Sequence, residues 1–453
     1  MRTIGLLELT KKYSIDVIEK HLVSFFIESN NIRVPVNSYI QEYLSNYHEN
    51  ALILDAVSAL NHTSVEQLSM DMELLIPTED KKINGAFFTP AYIVDYIIES
   101  VAPKITDSVI DISCGSGAFL IGVVRYFRKK FNVSIKQIVE NNLFGADILS
   151  YNVNRCKILI TLFGLLNGED ISDTEINVHT IDSLKHKWNR KFECVVGNPP
   201  YVKFQDLDVD TRSFLSNNWE TTQFGTYNLY FAFFELGYNI LSDTGRLGYI
   251  TPNNYFTSLA GEILRNYFQR KQCVFKIVDF NSTKVFDAQT YTAITFLSKD
   301  NNDYIQYARI GNNQHPEHFL FATYFTSNFY STLSSKKWRL LCGNERQNIE
   351  QIESIGKPIG ELFNICAGIA TLKDEVFFVV PNKEDADFYY FTYNGNSYKV
   401  EKAITRAVIK ISEFKSQEEL NLNNRRIIYP YKYVRGKATP ISEEEMKSAY
   451  PNA

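Results

Sequence analysis

A chain of 453 residues, 45% hydrophobic and 22% charged, has room for about three domains and is neither a disulfide-stapled miniprotein nor a disordered polymer. Its 47 Lys and Arg against 52 Asp and Glu leave a formal charge of -5, which excludes a uniformly basic coat but not a local basic face. Six scattered cysteines without a C-x-x-C pair argue against zinc and against a disulfide framework, and no uncharged apolar run approaches the ~18 residues of a membrane span. A soluble, cytoplasmic protein is expected.

Residues 1–84 read as a helical region. IDVIEKHLVSFFIES and NSYIQEYLSNYHENALILDAVSAL place apolar side chains three and four apart, with Ser and Asn near the starts. From Phe87 the texture changes to short β-branched runs between amphipathic stretches: SVIDIS, NLFGADI, INVHTID, FECVVGNP, RLGYITP, VFKIVDF and TAITFLSK. That alternation predicts an α/β domain over 85–300, a sheet with helices on both faces. Over 301–453 the pattern loses its regularity, as in NKEDADFYYFTYNGNSYKV, and few elements can be assigned. Residues 421–440 carry Arg425, Arg426, Lys432, Arg435 and Lys437 with no acid, interleaved with Tyr429, Tyr431 and Tyr433. Cations that meet phosphates and rings that stack suit a nucleic-acid surface, although a solvated loop beside a sheet has the same composition.

Four places carry chemistry. In VIDISCGSGAFL, residues 109–120, a strand runs through Asp111 and Ser113 into Gly115 and Gly117 before a helix, so a ligand could approach the backbone closely; a tight ligand-free turn would look similar. The third glycine of the dinucleotide fingerprint is absent, with Leu120 at that place. Asp147 ends the next strand, where an acid can accept both hydroxyls of a ribose with Ile148 as an apolar face beside it; an acid opening a helix is the plainer reading. Asp182 ends the strand after that and could accept from an adenine amino group, or serve as a turn residue. The fourth place is VVGNPPYV, residues 195–202. Pro199 and Pro200 stiffen the backbone and remove two N–H donors, so the Asn198 side-chain oxygen and the Pro199 carbonyl can face one amino group. An exocyclic amine is a poor nucleophile because its lone pair is delocalised, and two acceptors on its hydrogens free that pair for attack on a methyl group. Tyr201 can stack on the base.

Taken in order, GAFFTP, DISCGSG, Asp147, Asp182, NPPY, NLYFAFFE, GRLGYITPNNYF and VFDAQTYTAITFL resemble the γ-class DNA adenine-N6 methyltransferases of bacterial restriction-modification systems, over about residues 85–300. The resemblance implies a Rossmann-like S-adenosylmethionine-dependent methyltransferase sheet with helices on both faces, a helical N-terminal cap and a mixed α+β target-recognition domain over 301–453, the last matched only weakly from IGELFNICAGIATLKDEVFFV onward. It implies S-adenosylmethionine as cofactor, no metal, double-stranded DNA as substrate, and a cognate restriction endonuclease or specificity subunit as partner. By position, Thr89 and Pro90 correspond to the stretch over the methionine part of the cofactor, and Asp111, Ser113, Gly115 and Gly117 to the loop beneath it. Asp147 corresponds to the ribose acid, Ile148 to the adenine-flanking residue and Asp182 to the adenine acceptor. Asn198, Pro199, Pro200 and Tyr201 correspond to the catalytic tetrapeptide, and Phe286 to a second aromatic beside the flipped adenine, with Tyr291 as a competing assignment. Arg425, Arg426, Lys432 and Arg435 are the expected DNA contacts. Ser113 departs from the family, which often has Pro there.

NPPY also occurs in enzymes that methylate a release-factor glutamine or an RNA guanine at N2, since any planar amide or amine poses the same lone-pair problem. The ~150 residues after Lys299 weigh against both, and Asn198, where cytosine-N4 enzymes more often have Ser, weighs against cytosine. A DNA-binding subunit with a dormant pocket is the alternative of another class. No nuclease pattern stands out in 1–84, which reads as structural. The chain stops at residues 450–453 in no obvious final element, as expected of a cut chain or a shortened reader.

Overall fold

The structure is a computed structural model that describes residues 2–32, 37–60, 63–76, 89–286, 291–311, 314–343, 345–364, 368–369, 371, 373–434 and 436–453. The seven β-branched runs form β1 (Val109–Asp111), β2 (Leu143–Asp147), β3 (Val178–Thr180), β4 (Phe192–Gly197), β5 (Leu241–Pro252), β6 (Val274–Asp279) and β7 (Thr292–Ser298). With β8 (Tyr304–Arg309) and β9 (Thr326–Phe329) they make one nine-stranded sheet in the order β3-β2-β1-β4-β5-β7-β6-β8-β9. The strands from β3 to β5 are parallel, and β7 lies antiparallel between β5 and β6. All three residues of β1 and all seven of β7 are buried, as a sheet covered on both faces requires. The chain runs outward from β1 through β2 to β3 and then returns to place β4 on the other side of β1, so the strand order reverses between β1 and β4. In such sheets ligands bind outside the carboxyl ends of the strands at that reversal.

The helical region before residue 84 is not a separate body. Its helices Ile15–Ser29, Ser38–Tyr43, Ala51–Ser58 and Val65–Leu74 bury Leu22, Phe26, Ile53 and Leu68 in the same core as Ile97, Phe127 and Leu159. Their starts follow from side-chain caps: Ser14 accepts from Val17 N, Asn37 from Ile40 N at 2.9 Å and Asn50 from Leu52 N at 3.1 Å. Arg155, on the helix Ser150–Leu166, donates through Nε to Glu19 Oε1 at 2.7 Å, a buried ion pair between the cap and the sheet layer. Burial pushes the Glu19 carboxyl upward, and Arg155 opposes that rise.

Nor does the sheet stop at residue 300. β8 pairs with β6 and β9 with β8, and the chain divides into two compact units, 1–354 and 355–453. The expected boundaries at 84 and 300 follow changes in texture, whereas the packing follows shared core, and the edge strand TSNF is too polar to be conspicuous in sequence. The second unit contains a three-stranded meander of Lys383–Glu384, Phe388–Tyr393 and Asn396–Glu401, a second three-stranded sheet including Arg426–Ile428, and a hairpin of Tyr431–Val434 with Lys437–Pro440. Val379, Val400 and Ile404 form a small buried apolar cluster in it, and Ile427 is buried as well. Among the described residues no helix is long and apolar enough to cross a membrane.

Replacing Arg155 with Met strands the Glu19 carboxylate in the core and is expected to destabilise unit 1–354 by about 3–5 kcal/mol in chemical denaturation. The double variant Glu19→Leu/Arg155→Met is expected to recover most of that loss. A double variant as unstable as the single would show that the pair does not act as a unit.

Candidate active site

Four functional segments converge because parallel strands end on one side of a sheet. β1 ends at Asp111, β2 at Asp147, β3 just before Asp182 and β4 at Gly197, next to Asn198. The loop after β1 is drawn onto the end of β2: Cys114 N donates to Ala146 O at 3.0 Å, and Gly115 N to Asp147 Oδ2 at 2.9 Å. The other carboxylate oxygen of Asp147 accepts from Leu149 N at 2.9 Å and Asn152 Nδ2 at 3.1 Å. Gly117 begins the helix Ala118–Phe131 with φ +95°, and a Cβ there would stand 2.5 Å from Cys156 Sγ, so only glycine admits this turn against its neighbour. At Gly197 a Cβ would meet Asp111 Oδ1 at 2.7 Å, so the absence of a side chain lets the tetrapeptide leave β4 directly beside Asp111.

These ends surround a cavity of about 260 Å³. Thr89, Asp111, Ser113, Gly115, Asp147 and Ile148 line it, as do Asp182, Asn198 and Pro200. Pro90 caps the helix Ala91–Val101, Gly117 shapes the loop from behind, and Pro199 is buried; these three, with Tyr201 and Phe286, are not on its lining. Asn198 Nδ2 donates to Thr89 Oγ1 at 3.1 Å, a link across 109 residues that fixes which way the amide points. Tyr201 OH donates to Ile250 O at 3.2 Å, and its ring meets Tyr230 and Phe286 edge-on, at centroid distances of 6.3 and 6.5 Å. Phe286 is therefore next to the tetrapeptide, with its ring inclined 65° to that of Tyr201 and buried, whereas Tyr291 is half exposed.

Burial governs the acids. Asp111 is fully enclosed, which pushes its carboxyl up to about 7; hydrogen bonds from Ser113 oppose the rise and the Asp147 charge adds to it. Asp147 is raised as well, by burial first, against its N–H donors. Asp182 pairs with Lys185 at 3.2 Å, and Lys185 also lies 5.6 Å from the centre of the Phe214 ring.

Several lining residues escape a reading of motifs. Asn152 sits one turn into the helix after Asp147, and Lys185, Thr211 and Phe214 come from the stretches after β3 and after the tetrapeptide. Glu73 and Ile76 reach the cavity from the N-terminal helical region. Their only sequence signal is nearness to a strand end, and Glu73 lacks even that. In the second unit the basic run finds acids from other segments. Arg425 pairs with Glu413 at 2.8 Å, Lys432 pairs with Glu445, and Arg426 lies over the Tyr389 ring at 5.2 Å. Arg435 falls outside the described residues.

Residues 141–286 match the family model of the Eco57I restriction-modification methylases. The chain is 25% identical, over 457 residues, to the Type II restriction enzyme and methyltransferase RM.Eco57I of Escherichia coli, covering 83% of this chain and 44% of that protein. It is 24% identical over 339 residues to the Type II methyltransferase M.AccI of Acinetobacter calcoaceticus, covering 71% and 58%. The chain thus spans about half the length of these curated relatives. Its fold matches that of DrdV, solved in complex with DNA, with a TM-score of 0.57 at 14% identity over 81% of this chain and 45% of that one. It also matches the type IIG restriction endonuclease BpuSI with a TM-score of 0.54 at 16% identity over 78% and 48%. In sequence the chain is thus similar to methyltransferases of bacterial restriction-modification systems, and in fold to DrdV and BpuSI.

The residues present fit S-adenosylmethionine. The Gly115 backbone, with φ +53° and nothing within 4 Å of where a Cβ would stand, offers an open cradle, and Asp111, Asp147 and Asp182 suit a cationic ligand that carries a ribose. Because Asp111 holds its proton up to about pH 7 when folded but only to its ordinary 3.8 when unfolded, its contribution to stability falls as pH rises from about 4 to about 7. Replacing Asp111 with Asn is expected to remove that fall. Thermal melts of the two proteins should diverge across the window, with the variant gaining on the parent towards neutral pH, and parallel curves would count against the assignment.

Proposed function

We propose that this protein transfers a methyl group to the exocyclic N6 amine of an adenine extruded from double-stranded DNA, as the modification component of a restriction-modification system. The observation that carries the reading is the seating of Asn198 at the carboxyl end of β4 with its Nδ2 held on Thr89, which turns the amide carbonyl towards service as an acceptor. Asn198 Oδ1 and the Pro199 carbonyl then receive the two amine hydrogens of the target base. S-adenosylmethionine supplies the methyl group on a sulfonium. The amine's freed lone pair takes the methyl group and the nitrogen sheds a proton afterwards, so no strong base is required. Asp147 with Asn152 holds the ribose end of the donor slot, Ile148 and Asp182 its adenine, and the Gly115 backbone its methionine part. Tyr201, pinned through its hydroxyl to Ile250, offers a ring for the extruded base, and Phe286 beside it is its companion.

The second unit is, in this reading, a target-recognition domain. Arg425, Arg426 and Lys432 exchange protein partners for phosphates on binding, and Arg435 adds a further cation. A cognate endonuclease or specificity subunit completes the system, in keeping with one relative named as restriction enzyme and methyltransferase together.

Donor-derived radiolabel offered in parallel to DNA, RNA and a release factor should enter DNA alone and appear on adenine N6. Label on cytosine N4 would change the target base, and label on protein only would reject the reading. Asn198→Ala is expected to abolish transfer with DNA binding retained. Tyr201→Ala should slow transfer by about 1–3 kcal/mol of lost stacking, and an unchanged rate would argue against base extrusion onto this ring. The double variant Arg425→Ala/Arg426→Ala should flatten the dependence of DNA affinity on salt by about two phosphate contacts; an unaltered slope would assign the segment to structure.

A further inference from the structure

We propose that Glu73, on the N-terminal helix Val65–Leu74, is part of the donor site and receives the ammonium group at the amino-acid end of S-adenosylmethionine. This assignment rests on the donor reading above and gives the helical region a binding role that its sequence does not suggest.

Glu73 lines the same cavity as Asp111, Gly115 and Asn198. Its Oε1 accepts from Ser116 Oγ at 2.6 Å, and the Ser116 hydroxyl also lies 3.1 Å from that of Ser69, one turn earlier on the same helix. Ser116 belongs to the glycine loop and is 2% exposed, so the contact joins helix and loop inside the protein. Consecutive loop residues thus face two acids: the Gly115 N–H points to Asp147, and the Ser116 side chain to Glu73. Glu73 and Asp147 are thus held by neighbouring residues of one loop, with Asp147 at the nucleoside end in the donor reading above. The helix also borders Thr89, with which Glu66 and Ser69 line a small adjoining cavity.

The donor carries two cationic centres, its sulfonium and its ammonium. The bond from Ser116 Oγ orients one oxygen of Glu73, and a carboxylate has about four acceptor positions. Charge-assisted hydrogen bonds to an ammonium are among the stronger ones available to a carboxylate, and in a partly enclosed cavity they are less screened by water. Ser116 acts as a positioning residue, since it holds the oxygen of Glu73 rather than the ligand.

Two probes separate the ends of the donor. S-adenosylhomocysteine keeps the amino-acid end, while 5′-methylthioadenosine keeps the nucleoside and sulfur but lacks it. In isothermal titration of the full chain, Glu73→Gln is expected to weaken S-adenosylhomocysteine binding about tenfold and to leave 5′-methylthioadenosine binding unchanged. Ser116→Ala should show the same selective loss at smaller size. Unchanged S-adenosylhomocysteine affinity in Glu73→Gln would overturn the assignment. Equal weakening of both probes would also overturn it, by showing that Glu73 only braces the loop. A parent protein that binds neither probe would bring down the donor reading itself, and this assignment with it.

Discussion

The site depends on one buried carboxylate more than on any other group. Asp147 accepts from Gly115 N with one oxygen and from Leu149 N and Asn152 Nδ2 with the other, and so ties the loop after β1 to the end of β2 and the start of the next helix. Burying an acid is unfavourable unless its oxygens are met by donors, and the backbone that meets them here is the glycine loop itself. The carboxylate at the end of β2 therefore also sets the shape of the glycine loop. Asp111, enclosed one strand away, sits against the bare backbone of Gly197, and that close approach brings the tetrapeptide to the same cavity.

The second consequence is rigidity where chemistry needs it. Two prolines stiffen the corner after β4, Thr89 holds the amide of Asn198, and Ile250 holds the hydroxyl of Tyr201. Each contact comes from a different part of the chain, so the geometry of four consecutive residues is imposed by strands and loops far from them in sequence. Positioning of this kind lowers the reorganisation needed when charge develops on a reacting nitrogen.

The N-terminal region has the character of a brace grown into the site. It shares one core with the sheet layer, carries the Glu19–Arg155 pair to the helix Ser150–Leu166, and reaches the glycine loop through Ser69 and Glu73.

Local pattern alone determined the seven strand-forming runs, because β-branched residues buried on both faces leave a continuous apolar signature. It also determined the order of motifs along them, since Asp111, Asp147, Asp182 and Asn198 each terminate such a run. A hairpin in the second unit went unread, although Asn394 and Gly395, both at positive φ between Phe388–Tyr393 and Asn396–Glu401, are residues such a turn favours. Tertiary structure alone decided the rest. β8 and β9 join the sheet by pairing with strands already present, Arg425 and Lys432 find Glu413 and Glu445 outside their own basic run, and Glu73 reaches a loop 43 residues away. The physical reason is common to all three. A strand end announces itself in the residues around it, whereas a partner brought across the fold leaves no trace in the spacing of its neighbours.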